Sequence, residues 1–126
     1  MPQVSQRRAV AVVDDDQSVR RATVKLLRLN GYEVHSFSSA EEFLQSQVLE
    51  RVSCLVSDVR MPGMGGLELQ DRLLELGHRI PIIFVTAYPQ DSDRRRALAA
   101  GATGFLAKPF DEKDLTGLIE RAAAAG

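Results

Sequence analysis

The run "VAVVDDDQSVR", Val10–Arg20, sets four consecutive apolar residues directly before three aspartates. A strand with one face in water alternates apolar and polar residues, so an unbroken apolar run of this length reads as a strand covered on both faces. That is the pattern of a parallel sheet with helices on either side. The acids then fall at the carboxyl end of the strand, and Val19, Ala22, Leu26 and Leu29 beyond them recur at helical spacing.

Outward from this stretch the same alternation repeats. Strands are predicted over Ala9–Val13, Glu33–Phe37, Ser53–Ser57, Pro81–Val85 and Gly104–Ala107. "CLVS" and "PIIFV" are unbroken like the first. Between the strands lie amphipathic segments: Ala40, Phe43, Leu44 and Val48 predict one helix, and Leu69, Leu73 and Leu76 another. "DSDRRRALAAGA", residues 91–102, gives a weaker helix, and Leu115, Leu118, Ile119 and Ala122 mark a closing one. Asn30-Gly31, Gly77 and Gly101 stand where helices should stop. Ser39 with Glu42 reads as a capping box, and Asp111 as the N-cap of the last helix. Strict alternation implies a doubly wound α/β fold of five βα units, with a parallel sheet and right-handed crossovers. One domain over residues 1–126 accommodates it.

Composition narrows the function. Hydrophobic residues make up 44% and charged residues 26%, which places the chain among folding, globular sequences. The formal net charge of −1 gives no general attraction to nucleic acid or to an anionic membrane. "RRR", Arg94–Arg96, is read as a solvated helix face. Cys54 is the only cysteine and lies in an apolar run, so it is expected to fill core and to form neither disulfide nor metal cluster within one chain. His35 and His78 lack ligand spacing and are expected at the surface. No apolar run reaches membrane-spanning length and "MPQVSQRR" lacks a signal-like segment, so a cytoplasmic protein is expected.

In a parallel sheet all strands end at one edge, and ligands bind there. Asp14 and Asp15 end the first strand, and Asp58 in "CLVSDVRMPGMGG" ends the third. If these strands are neighbours, three carboxylates converge, and like charges at short range raise one another's pKa unless a cation is supplied. Mg²⁺ suits an all-oxygen site that also takes a phosphate. The fourth strand brings the Thr86 hydroxyl to the same edge and the fifth brings Lys108, a donor and a positive charge able to hold phosphoryl oxygens.

With "VVDDD", "DVRMPGMGG", "VTA" and "KPF" in this order at strand ends, the chain resembles the receiver domain of two-component response regulators from about Arg8 to Ala122. The resemblance implies a flavodoxin-like sheet of order 2-1-3-4-5 and Asp58 as acceptor of a phosphoryl group from a partner histidine kinase. It implies Mg²⁺ held by Asp15, by Asp58 and by the backbone carbonyl of Arg60, with Asp14 helping through a coordinated water. Thr86 and Lys108 would hold the phosphoryl oxygens, Phe105 would be the switch aromatic, and the Lys108-Pro109 bond would be cis. Such a domain is not an enzyme in the ordinary sense, since it catalyses only its own phosphorylation and dephosphorylation. Asp16 is left to local charge or capping. Gly65 stands where a polar residue is usual, which should loosen the loop after Asp58. Arg60 and Tyr88 occupy the two positions that vary most among receivers.

"SAEEFL" and "GATGFLAKPF" look most like the nitrogen-fixation and styrene-type regulators, whose receiver precedes a DNA-binding output domain; none is expected within this chain. A homodimer or an output domain would use the face of the fourth helix, fifth strand and fifth helix, roughly Asp91–Arg121. Three other readings are weighed. A stand-alone receiver would act by protein–protein contact, and a non-phosphorylated pseudo-receiver would be an interaction module only. A haloacid-dehalogenase-type phosphatase would read "DDDQS" as its motif and leave Asp58 without a role.

Overall fold

A computed structural model describes residues 8–125, so the opening residues read for a leader segment lie outside the described part. The strands are β1 (Ala9–Val13), β2 (Glu33–Phe37), β3 (Cys54–Asp58), β4 (Ile82–Thr86) and β5 (Gly104–Ala107). All pair in parallel, in the order β2-β1-β3-β4-β5. The helices are α1 (Gln17–Leu29), α2 (Ala40–Leu44), α3 (Gly66–Glu75), α4 (Asp91–Ala99) and α5 (Glu112–Ala125), with a 3₁₀ turn at Gln47–Glu50.

The three unbroken apolar runs are the three interior strands. Side chains alternate across a strand, so β1 sends Val10 and Val12 to one face and Ala11 and Val13 to the other. On the first face they meet Leu27 of α1 and Leu115, Ile119 and Ala122 of α5. On the second they meet Phe43 of α2, Leu69 and Leu73 of α3 and Ala97 of α4. Both clusters must be apolar, and that is why β1, β3 and β4 cannot alternate. The edge strand β2 has water on one flank and does alternate, Val34 being buried between half-exposed Glu33 and His35. Cys54 is 1% exposed in the core, and burial pushes its thiol pKa up to about 12.

Three local expectations change. β3 and β4 each run one residue later than predicted, because Asp58 pairs with Val85 and Thr86 with Ala107, making both site residues the last of their strands. The second helix ends at Leu44, since the Ser46 hydroxyl accepts from the Val48 N–H at 3.0 Å and starts a separate 3₁₀ turn. The capping box is only half formed as read. The Ser39 hydroxyl accepts from the Glu42 N–H at 3.1 Å, but the Glu42 carboxylate accepts from the Ser38 N–H and hydroxyl at 2.8 and 2.9 Å. Gly31, Gly77 and Gly101 all take positive φ at helix ends, as their placement required. Asp111 precedes α5, and its carbonyl accepts from the N–H groups of Asp114 and Leu115.

α4 is attached differently from the rest. Its only buried residue is Ala97, so apolar packing contributes little to holding it. Polar contacts do so instead: the Gln70 side chain donates to the Ala97 carbonyl at 3.1 Å, and Arg96 pairs with Asp71 of α3 at 2.7 Å.

Candidate functional site

Parallel pairing delivers four strand ends to one edge. Asp14 is carried there because its N–H continues the ladder, donating to the Phe37 carbonyl at 3.1 Å. Asp58 and Thr86 close β3 and β4, and the Lys108 N–H donates to the Thr86 carbonyl at 2.8 Å, which fixes the chain just past β5. Asp14, Asp58 and Thr86 are buried, and Asp15 is exposed.

The carboxylates converge as adjacency of β1 and β3 demanded. One oxygen from each of Asp14, Asp15 and Asp58 lies within 4.8 Å of the others, an all-oxygen donor set that could hold a metal ion. Lys108 Nζ stands between the two buried acids, 3.0 Å from Asp14 Oδ2 and 2.9 Å from Asp58 Oδ2. The remaining oxygens take backbone donors. The Arg60 N–H donates to Asp58 Oδ1 at 3.1 Å, and the Asp16 N–H to Asp14 Oδ1 at 2.9 Å.

Electrostatics follow from this arrangement. Burial raises the Asp14 pKa and the charge of Asp58 adds to it, outweighing the hydrogen bonds from Asp16 and Lys108. Burial works against the Lys108 charge, but the hydrogen bonds and charges of Asp58 and Asp14 more than offset it, and its pKa is raised. Sequence-predicted Asp16 is the N-cap of α1, its carboxylate accepting from the Val19 N–H at 3.1 Å. The Thr86 hydroxyl accepts from the Tyr88 N–H at 3.1 Å. Phe105 does not join the carboxylates; it is half-buried with its ring centroid 6.4 Å from that of Phe84. The Lys108-Pro109 bond is cis.

Several contributors were not read from the sequence. Arg20 donates to the Asp14 carbonyl at 2.7 Å, and the Glu41 carboxylate accepts from the Met64 N–H at 3.1 Å, tying the loop after Asp58 to α2. Arg20 lies one turn beyond the acidic triplet, a spacing that could have flagged it. Glu41 carries no local signal. Of the adjacent glycines, Gly66 matters most: a Cβ there would run into the Asp58 carbonyl oxygen. Gly65, expected to loosen the loop, opens α3 in extended geometry with its N–H on Glu68 Oε1 at 3.2 Å.

The raised Asp14 pKa has a stability consequence with a definite sign. Below the ordinary carboxylate pKa both folded and unfolded chains hold the proton. As pH rises above the ordinary carboxylate value the unfolded chain ionises first, so the fold loses stability until the raised folded value is passed. Lys108 acts oppositely: its contribution is full below the ordinary lysine value and is lost as pH rises through its raised folded pKa. Asp14→Asn is therefore expected to stabilise the metal-free protein at pH 7 by about 1 kcal/mol. It should also remove the part of the pH dependence of melting temperature that begins above the ordinary carboxylate value. A variant that melts below the wild type at pH 7 would refute this.

Among described residues no helix is long and apolar enough to cross a membrane. Residues 10–120 match the family model of the response regulator receiver domain. The chain is 45% identical over 113 residues to nodulation protein W of Bradyrhizobium diazoefficiens, covering 90% of this chain and 50% of that protein. It is 44% identical over 117 residues to response regulator protein TmoT of Ectopseudomonas mendocina, covering 93% and 53%. It superposes on the structure of response regulator StyR with a TM-score of 0.88 at 45% identity, covering 95% of this chain and 61% of that one. The chain thus spans about half the length of the curated relatives it matches.

Proposed function

This chain belongs to the response regulator receiver domain family, and from that premise we propose that Asp58 accepts a phosphoryl group from the histidine of a partner kinase. The observation that carries the assignment is Lys108 Nζ, within 3.0 Å of both Asp58 and Asp14 at an edge where three carboxylates meet. Asp15, Asp58 and the Arg60 backbone carbonyl would hold Mg²⁺, with Asp14 acting through a bound water; the oxygen-only donor set fits that ion. When bound, Mg²⁺ supplies neutralisation of the charge shared by the acids and the transferring group.

The chain's own residues do the rest. A carboxylate oxygen of Asp58 forms a bond to phosphorus as the phosphorus–nitrogen bond breaks, and the electron pair of that bond leaves with the imidazole. Lys108 turns from the two carboxylates to a phosphoryl oxygen. The Thr86 hydroxyl, which already accepts from Tyr88, keeps its own proton to donate to another. Phe105, with no hydroxyl, follows Thr86 by packing alone.

The domain is a phosphoacceptor whose catalysis is limited to its own phosphorylation and dephosphorylation. It works in the cytoplasm as one receiver unit over residues 1–126. It controls a transcriptional output domain and can pair with a second copy through α4, β5 and α5; the lengths of the relatives support the output domain. Incubation with phosphoramidate and Mg²⁺, followed by peptide mass mapping, is expected to place one phosphoryl group on Asp58. Stable label on Asp14 or Asp15 would overturn the assignment.

A further inference from the structure

Two residues past Asp58, Arg60 faces two ways. Its backbone N–H binds the Asp58 carboxylate, while its guanidinium reaches α4, where Nη2 donates to Gln90 Oε1 at 3.1 Å and pairs with the Asp93 carboxylate. The two partners are unequally solvated: the Asp93 side chain is 14% exposed and that of Arg60 54%. Arg60 can therefore turn through water, whereas Asp93 depends on it for compensation. Both border an open cleft of about 470 Å³ with Met61, Pro62 and Arg96, which leaves the guanidinium room to move.

We propose that Arg60 is a positioning residue that clamps the first turn of α4 in the unphosphorylated chain and exchanges Asp93 for the phosphoryl group on Asp58. The inference rests on Asp58 being the acceptor. Phosphorylation places about two negative charges beside the Arg60 backbone, and a planar guanidinium is matched to such an anion in geometry and charge. The two pairings exclude each other. Each is therefore linked to the other by a reciprocal coupling: an anion at Asp58 frees α4, and freeing α4 favours the anion. α4 is the element suited to respond, since it buries only Ala97 and its other polar ties, Gln70 and Arg96, lie further along the helix.

The test is a double-mutant cycle on binding of beryllium trifluoride, a tetrahedral phosphoryl mimic, with Mg²⁺ present. Wild type, Asp93→Asn, Arg60→Gln and the double variant are titrated. Asp93→Asn should bind about three- to tenfold tighter than wild type, the size expected for one ion pair with a half-buried partner. In the R60Q background the same Asp93→Asn change should have no effect. Amide exchange at residues 94–97, whose N–H groups close the first turn onto residues 90–93, should speed up in wild type on adding the mimic and be fast already in Asp93→Asn. Equal or weaker binding by Asp93→Asn, or the same gain in both backgrounds, overturns the exchange alone. Failure of the wild type to bind the mimic would sink the Asp58 assignment and this inference with it.

Discussion

With Lys108 replaced by Met, phosphoryl uptake from phosphoramidate is expected to fall by about 10²–10³-fold, the usual cost of losing one fixed donor to transition-state charge. Methionine keeps most of the stem volume, so the loss isolates the charge. In the resting chain that charge also holds two buried carboxylates 2.9 and 3.0 Å from one ammonium. Removing it leaves Asp14 and Asp58 facing each other without their shared cation. Metal-free Lys108→Met should then lose about 2 kcal/mol, less than a fully buried pair would cost because the Lys108 side chain keeps some solvent contact. Saturating Mg²⁺ should raise the melting temperature of the variant more than that of wild type, because the added cation meets more uncompensated charge. Single-turnover kinetics and melting curves with and without Mg²⁺ check both arms. Uptake within twofold of wild type would remove Lys108 from the chemistry.

Gly66→Ala is expected to destabilise the protein by about 3 kcal/mol, although alanine favours a helix over glycine by about 1 kcal/mol. Gly66 begins α3, and a Cβ there would collide with the Asp58 carbonyl oxygen and stand 3.0 Å from the Phe84 ring. Neither neighbour can retreat, since Asp58 ends an interior strand and Phe84 is fully buried. A loss of that size lowers the melting temperature of a domain this long by roughly 10 °C. Gly117 in α5 supplies the contrast: a Cβ there meets nothing within 4 Å, so Gly117→Ala should stabilise by about 0.5–1 kcal/mol. Urea denaturation of the two variants settles the signs; a Gly66→Ala chain as stable as wild type would mean that the β3–α3 junction can open.

The contrast between these glycines marks what a sequence displays. Interior strands were legible because burial on both faces selects against polar side chains, Ser57 inside β3 being kept only with its hydroxyl bonded to the Asp58 carbonyl, and that constraint is written in consecutive positions. Asp14, Asp15, Asp58, Thr86 and Lys108 were legible for a related reason: parallel pairing puts every strand end at one edge, so the residue after each run was the place to look. The one-residue shift of β3 and β4 was not legible, since pairing partners and not local propensity set where a ladder stops. Nor was the break after Leu44, where a serine hydroxyl competes for the backbone within an otherwise helical pattern. Glu41 to Met64, Arg60 to Asp93 and Gly66 to Asp58 depend on how loops cross in space, and periodicity carries nothing about that.

Cys54 opens the strand that ends in Asp58, pairs with Val10 and is the chain's only thiol. Only a thiolate reacts readily with disulfide reagents, and this one is kept protonated and out of reach while the sheet is closed. The protein therefore carries its own chemical clock. The rate at which a disulfide reagent modifies Cys54 counts openings of the central sheet, without any introduced probe. Timed with and without Mg²⁺, that clock tells whether repairing the charge at one end of β3 is felt at the other.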